Sequence, residues 1–383
     1  MHRKMLNGEW TCSTSTWLSW ILKHGCHAVY LTLRYIMALL ILFPSLSCRS
    51  RYPKRYVVDL DRPPDERWNE VVHDHVDLIP SFMETTQRLV PRLFLRVLFF
   101  IGEHLNRFLP REYAEEIRGI ARESGLPLGS IVMLNILYDI FAFDREKFYE
   151  MGCTSILVDD NEGSILHGRN LDYNIPQMRN VTIFVDFVRL QGKQKKIVYS
   201  GITFAMSVIL HTGQNEAFSL SLNTRYTGPY VYNIIMQILT QFRTPVGFLI
   251  RDVLSSSKNY SDAIDVLSTR PLFSPSYITI GGRKKGEGAI ISRSRLRADD
   301  VLSLSDDRWY LVETNYDHWK EFEDRRMNVS IRMLEGIGRD GITIDTMLFI
   351  LRSYPVKSSV TLFSTVMDVR FPSIMRYMTY VWS

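Results

Sequence analysis

Gly152-Cys153-Thr154-Ser155-Ile156-Leu157-Val158 runs into Asp160-Asn161-Glu162-Gly163 and returns as Ser164-Ile165-Leu166-His167-Gly168-Arg169-Asn170-Leu171-Asp172-Tyr173. The apolar run 156–158 predicts a strand, 160–163 a tight turn and 164–167 a returning strand. A hairpin of this shape carries Arg169 and Asp172 back beside Cys153. A thiol, a cation and a carboxylate then share one local unit. Amide cleavage by a thiol needs a base, charge partners that fix its geometry, and an oxyanion site. A lone cysteine is on general grounds an ordinary buried residue, so the remainder of the chain has to decide.

Outward from the hairpin, the pattern predicts strands over 181–189 and 196–203 around Gln191-Gly192-Lys193, and a half-buried strand over 217–225. Helical spacing follows over 232–242, 246–255 and 261–269. Residues 277–280 and 289–293 predict a hairpin around Gly286, and 309–314 a strand that leads into Asn315. A helix over 345–354 and strand-like runs 359–367 and 374–382 close the chain. Upstream, 56–68 reads as extended up to Pro63-Pro64, then 65–80 as one helix, and 115–123 as a helix stopped by Gly125 and Pro127. Strands in runs, then helices, then strands predict α+β layering.

A second motif is Glu313-Thr314-Asn315-Tyr316-Asp317-His318-Trp319-Lys320, followed by Asp324-Arg325-Arg326. Alone, Asn-Tyr-Asp is a turn after a strand. Together and in this order, the two motifs resemble the acid ceramidase and N-acylethanolamine acid amidase family of N-terminal-nucleophile hydrolases. Ile117-Arg118-Gly119, Leu134-Asn135-Ile136-Leu137-Tyr138-Asp139 and the segment from Val57 to Trp68 carry the same resemblance, which spans residues from about 55 to the end.

The resemblance implies a four-layer αββα sandwich with a short helical N-terminal subunit. It implies self-cleavage between Gly152 and Cys153, so that the freed α-amine serves as base for its own thiol; such an amine titrates near pH 8 when unperturbed. It divides the chain into an extension and signal segment (1–47), an N-terminal α subunit (48–152) and a catalytic β subunit (153–383). Arg169 would orient the thiol and the bound carbonyl, Asp172 would hold the α-ammonium, Asn315 would donate to the oxyanion and Arg325 would line the site. Thr224, Arg225 and Tyr173 would support them. Ceramide is the first substrate expected, N-acylethanolamine the second, and no metal or organic cofactor is implied.

Two positions depart from the family. Thr224, in Leu222-Asn223-Thr224-Arg225-Tyr226, stands where relatives carry a glutamate. Its hydroxyl keeps a donor and an acceptor but no charge, and Thr224→Glu is expected to restore turnover with Arg225 offsetting the charge. The segment 143–152 is longer than the family's approach to the cysteine. Both features also fit a silent, lipid-binding family member. Bile-salt or penicillin amidase chemistry is the rival enzyme class and lacks the N-terminal segment present here.

The composition bounds the rest. The 383 residues are 46% hydrophobic and 23% charged, a globular balance. A net charge of +5 without a Lys/Arg block argues against nucleic acid. The four cysteines are Cys12, Cys26, Cys48 and Cys153. None follows Cys153, so an α/β heterodimer cut from this precursor would have no intersubunit disulfide unless the nucleophile were used. Residues 28–47 read as a signal peptide, with an N-terminal anchor as the alternative. Sequons at Asn180, Asn259 and Asn328 add to a lysosomal or secreted destination. Residues 90–109 read either as core packing or as a helix that docks on a membrane surface. His73 and His75 lack further ligands for zinc and read as surface histidines.

Overall fold

The structure, a computed structural model, describes residues 50–81, 92–141, 152–160, 162–227, 245–321, 323–370 and 378–382. These belong to a unit running from Ser50 to Ser383. The expected signal segment, the helix at 232–242 and the approach to the cysteine over 143–151 lie outside the described residues.

The N-terminal segment begins with β1 (Ser50–Arg51) and β2 (Lys54–Asp59). The single helix expected over 65–80 is instead broken into a single turn at Pro64–Glu66, the short helix α1 (Asn69–His73) and a single turn at Val76–Leu78, with helical backbone resuming at 79. His75 is not a surface residue: it is buried, and its Nδ1 lies 2.7 Å from the Val71 carbonyl. The longer helices are α2 (Arg92–Leu105), α3 (Arg111–Ser124) and α4 (Leu128–Phe141). Gly125 ends α3 in the left-handed conformation (φ 68°), as its position before Pro127 predicts. Helices α2 and α4 meet at glycines: a Cβ on Gly102 would lie 2.5 Å from the Gly129 carbonyl oxygen. This close backbone approach is why both positions lack a side chain.

From Gly152 the chain continues with β3 (Gly152–Asp159) and β4 (Ile165–Asp172), the hairpin read from sequence. Asp160 Oδ1 accepts from the backbone N–H of Glu162 (2.9 Å) and Ser164 (2.7 Å), and Gly163 takes φ 74°. There follow β5 (Thr182–Gln191), β6 (Gln194–Phe204), β7 (Thr212–Asn215) and β8 (Ser219–Thr224). Then come α5 (Val246–Ser256), α6 (Tyr260–Thr269), β9 (Ser276–Gly281), β10 (Gly288–Arg293), β11 (Ala298–Ser303) and β12 (Tyr310–Glu313). The chain ends with α7 (Arg325–Ile337), α8 (Ile344–Arg352), β13 (Thr361–Asp368) and β14 (Met378–Trp382). Strands β7 and β11 and helix α7 were not read from the sequence.

Among the described residues the strands form two sheets. One has six strands in the order β1-β14-β13-β4-β3-β12, the other eight in the order β11-β10-β9-β8-β7-β6-β5-β2. Helices α7 and α8 cover the first sheet, and α5 and α6 the second. This is the αββα sandwich. Being covered on both faces, β3 and β4 are buried along their whole length, which hides the alternation expected of a half-exposed strand. The alternation survives in the partners. Ile156, Val158 and Leu166 pack toward Leu334, Met347 and Leu351 of the helices, whereas Leu157 and Ile165 pack toward Tyr277 and Ile290 of the other sheet.

The N-terminal segment is more than helical. Its β2 runs parallel to β5 at the edge of the larger sheet, and its β1 pairs with β14 of the smaller one. Glu116 of α3 is fully buried and receives both terminal nitrogens of Arg251 on α5, at 2.5 and 2.8 Å. Trp68 Nε1 (2.9 Å) and Arg67 Nη1 (2.9 Å) donate to the same carboxylate.

Candidate active site

The period of two along β3 and β4 places Cys153, Ser155, His167 and Arg169 on the face turned to the larger sheet. Arg169 sits opposite Ser155 in register. Its Nη2 therefore reaches across to donate to Cys153 Sγ at 3.1 Å. Nη2 also donates to the Leu222 carbonyl, and Nη1 donates to Asn223 Oδ1, both on β8. Cys153 and Arg169 are both shut off from solvent. Burial pushes the thiol up from its ordinary value, and the Arg169 charge pulls it back.

The peptide between Gly152 and Cys153 is intact and lies in β3. The Cys153 N–H, which cleavage would turn into an α-amine, donates to Asn315 Oδ1 at 3.0 Å. Asn315 Nδ2 donates to the Thr224 carbonyl at 2.8 Å. The Asn315 amide thus presents its oxygen to the Cys153 nitrogen, and its donor is engaged by Thr224. Asp172 lies opposite Gly152 in register. Its Oδ1 accepts from Thr361 Oγ1 (2.6 Å) and its Oδ2 lies 3.4 Å from Arg326 Nη1. Burial raises this carboxyl, while Arg326, Thr361 and Arg169 oppose the rise.

The guanidinium at the site is that of Arg326, not Arg325. Arg326 Nη1 donates to the Cys153 carbonyl (3.0 Å), and Nη2 to Asn315 Oδ1 (3.1 Å) and Asp324 Oδ2 (3.0 Å). Arg325 is exposed. The reason is the start of α7. Asp324 caps it, its Oδ1 accepting from Arg326 N (2.7 Å) and Met327 N (3.3 Å). Successive helical residues point about 100° apart, so only one of two adjacent arginines can face the site. Burial works against the Arg326 charge, but Asp324 and Asp172 hold it above its ordinary value. A Cβ on Gly152 would lie 2.5 Å from Arg326 Nη1, so a side chain there would displace the guanidinium.

Other expected residues fall nearby with different partners. Thr224 is buried, and its carbonyl is the acceptor for Asn315. Arg225 is buried too, but its Nε donates to Asp317 (2.7 Å) and its Nη1 to Asp299. Tyr173 is buried edge-on to His211, ring centres 6.5 Å apart, with burial raising its phenol well above the usual range. Asn170 is structural: its Nδ2 donates to the carbonyls of Leu351 (2.8 Å) and Val356 (3.0 Å). Asn180, Asn259 and Asn328 are all exposed, and Asn259 also caps α6.

Ser155 and Thr361 were missed in sequence as contributors, and Asn223 was read only as part of the polar frame beside Thr224. Asn223 carried a signal as part of Leu222-Asn223-Thr224-Arg225-Tyr226, the stretch that departs from the family. Among the described residues no cluster of three or more His, Cys, Asp or Glu side chains could hold a metal ion.

Residues 51–109 match the beta subunit of N-acylethanolamine-hydrolyzing acid amidase. Residues 153–337 match the linear amide C–N hydrolases of the choloylglycine hydrolase family. The chain is 43% identical over 347 residues to an N-acylethanolamine-hydrolyzing acid amidase of Caenorhabditis elegans, covering 89% of this chain and 97% of that protein. A Mus musculus protein of the same name is 33% identical over 94% of this chain and 97% of its own length. Acid ceramidase of Homo sapiens is 31% identical over 82% of this chain and 83% of its own. The solved structure of a Caenorhabditis elegans N-acylethanolamine-hydrolyzing acid amidase ortholog superposes with a TM-score of 0.54 at 42% identity, covering 60% of this chain and 99% of that one. These likenesses do not favour ceramide, the first substrate expected, over N-acylethanolamine.

Proposed function

The chain belongs to the acid ceramidase and N-acylethanolamine-hydrolysing acid amidase family, a group of linear amide C–N hydrolases, and we propose that it is a self-processing cysteine amidase acting on N-acylethanolamines. The observation that carries the reading is the setting of Cys153, with Arg169 at 3.1 Å from its sulfur and Asn315 at 3.0 Å from its nitrogen.

In processing, the Cys153 thiol attacks the Gly152 carbonyl. The peptide C–N bond breaks, the thiol proton goes to the departing nitrogen, and the chain is held as a thioester. Water cleaves the thioester and leaves a carboxyl on Gly152 and a free amine on Cys153. In turnover that amine takes the thiol proton, and the sulfur attacks the substrate carbonyl. The amine passes the proton to the leaving ethanolamine nitrogen, and water then releases the fatty acid. Asp172 and Asn315 hold the amine, Arg169 favours the thiolate, and Arg326 fixes the Cys153 carbonyl. The oxyanion donor is proposed to be Asn315 once processing lets its amide release Thr224.

The two chains, cut at Gly152, stay together through the sandwich and the Glu116–Arg251 pair rather than through a disulfide. Phe100, Ile101 and Phe108, at 63%, 45% and 53% exposure, support contact of the α2 region with a lipid surface. The exposed sequons support passage through the secretory route to lysosomes or the exterior. Purified protein at acid pH should split into two chains, the larger starting at Cys153, and should release fatty acid faster from an N-acylethanolamine than from ceramide. Cys153→Ala should remain one chain and be inactive. Full activity in an unsplit chain would overturn the mechanism, and faster ceramide cleavage would overturn the substrate.

A further inference from the structure

A chain of buried polar groups reaches the Cys153 thiol from the side that the amine chemistry leaves unused. His167 Nδ1 lies 3.0 Å from Ser219 Oγ, and its Nε2 lies 2.8 Å from Ser221 Oγ. Ser221 Oγ lies 2.8 Å from Ser155 Oγ, which lies 2.8 Å from Asn223 Oδ1. Asn223 Oδ1 also accepts from Arg169, whose Nη2 donates to the thiol at 3.1 Å. Every one of these side chains is shut off from solvent.

The direction of this chain follows from its end. Asn223 Nδ2 faces the carbonyls of Glu313 (3.1 Å) and Thr314 (2.6 Å), which can only accept. The amide oxygen must therefore be the atom turned to Ser155 and Arg169. Ser155 then has to donate to Asn223, because two oxygens 2.8 Å apart need a proton between them. With its one proton spent, Ser155 accepts from Ser221. Ser221 in turn accepts from His167 Nε2–H. The bare Nδ1 accepts from Ser219, whose alternative acceptor, the Gly281 carbonyl, is more distant at 3.2 Å. The reversed arrangement, with the proton on Nδ1, leaves Ser155 and Asn223 oxygen to oxygen.

We propose that His167, held as the Nε2–H tautomer, is a positioning residue: it heads a one-way chain through Ser221, Ser155 and Asn223 that fixes Arg169 against the nucleophilic thiol. His167 is consequently not the base of a Cys–His pair, since its Nε2 proton is committed to Ser221. Burial, with the Arg169 charge, holds the imidazole down to about 3, so it stays neutral across the range in which an acid amidase works. The proposal rests on the amidase reading for its importance but not for its geometry.

The test uses the processed full-length protein, 15N-labelled at histidine, with His167→Gln to assign the resonance. The expected result is a protonated Nε2 and a bare Nδ1 that do not titrate between about pH 4 and 8, the span of ordinary carboxyl and α-amine titration. A protonated Nδ1 overturns the proposal. Ser155→Ala and His167→Gln should loosen Arg169. They should shift the pH profile of Cys153 alkylation by iodoacetamide upward and lower kcat about tenfold, with little change in KM, in line with a disturbed charged hydrogen bond. Ser219→Ala, at the far end, should have a smaller effect of the same kind. An unmoved alkylation profile in both Ser155→Ala and His167→Gln, with normal folding, overturns the proposal. Wild-type protein that hydrolyses no N-acyl amide yet shows the tautomer and the alkylation shifts would overturn the amidase reading alone.

Discussion

Two buried arginines, Arg251 and Arg169, sit at polar interior sites and differ in what faces them. Arg251 meets the full carboxylate of Glu116, with Arg67 and Trp68 completing the set. Burial opposes its charge, and Glu116 more than restores it. Arg169 meets a thiol, two carbonyl-type oxygens and a hydroxyl, with no carboxylate among its hydrogen-bond partners. A cation matched by an anion is a joint. A cation matched only by neutral groups is placed to stabilise a negative charge that forms beside it, which in the proposed mechanism is a thiolate and an oxyanion.

The sharpest test of that contrast is Glu116→Ala. It should leave Arg251 buried and unpaired and cost about 3–5 kcal/mol. Chemical denaturation of the precursor should show the loss, and the processed chains should separate on gel filtration. A change near zero would mean that the joint is not electrostatic.

Arg326→Ala should slow self-cleavage and hydrolysis by about 10- to 100-fold, the range of a lost charged hydrogen bond. Arg325→Ala should leave both rates as they are. Equal effects would erase the distinction drawn from the start of α7.

Thr224→Glu is expected to lower turnover by about tenfold rather than restore it. Arg225 cannot offset the new charge, because Asp317 and Asp299 already hold it. Burial, and then the Asp317 charge, already push the nearby Glu313 carboxyl well above its ordinary value. Steady-state rates on an N-acylethanolamine across acid and neutral pH decide this, and a gain would show that the pocket accepts a carboxylate.

The smallest effect concerns Asp139 of α4, buried with Ser274 Oγ at 2.6 Å and the Val246 N–H at 3.3 Å on its Oδ1. Burial raises this carboxyl from 3.8 to about 7. Below about pH 4 both the folded and the unfolded chain hold the proton. Between there and about pH 7 only the folded chain does, so stability falls as pH rises through this window and levels off above it. Asp139→Asn should flatten the fall, seen as a smaller drop in Tm between pH 4.5 and 7.5. An unchanged slope would mean that other groups set it.

Local signals carried much of this. The hairpin at Cys153 was legible because an apolar run, an Asp-Asn-Glu-Gly turn and a returning run are contiguous. The motif ending in Asn315 was legible because a strand delivers it. The long helix expected over 65–80 failed because His75 and its neighbours pack against Tyr56 of β2, a contact no local pattern reports. Strand β11, with alternating half-exposed residues Ala298–Ser303, holds charged Asp299 and Asp300 and so lacked an apolar stripe. Helix α7 went unread for want of a long apolar face, and with it the means of telling Arg326 from Arg325.

The amino-acid order by itself pointed to the proposed nucleophile and cleavage junction, and it determined the hairpin that returns Arg169 and Asp172 and the layered α+β class, because each rests on residues close together in the chain. Folding in three dimensions decided which arginine reaches the Cys153 carbonyl, that Arg225 belongs to Asp317 and Asp299, and that Glu116 joins the N-terminal segment to α5. It also decided that Asn223 turns its oxygen to Arg169. These are pairings across 54 to 173 residues of sequence. Their partners are chosen by desolvation: a buried charge takes whichever group the sandwich brings within hydrogen-bond reach, and no local pattern encodes that choice.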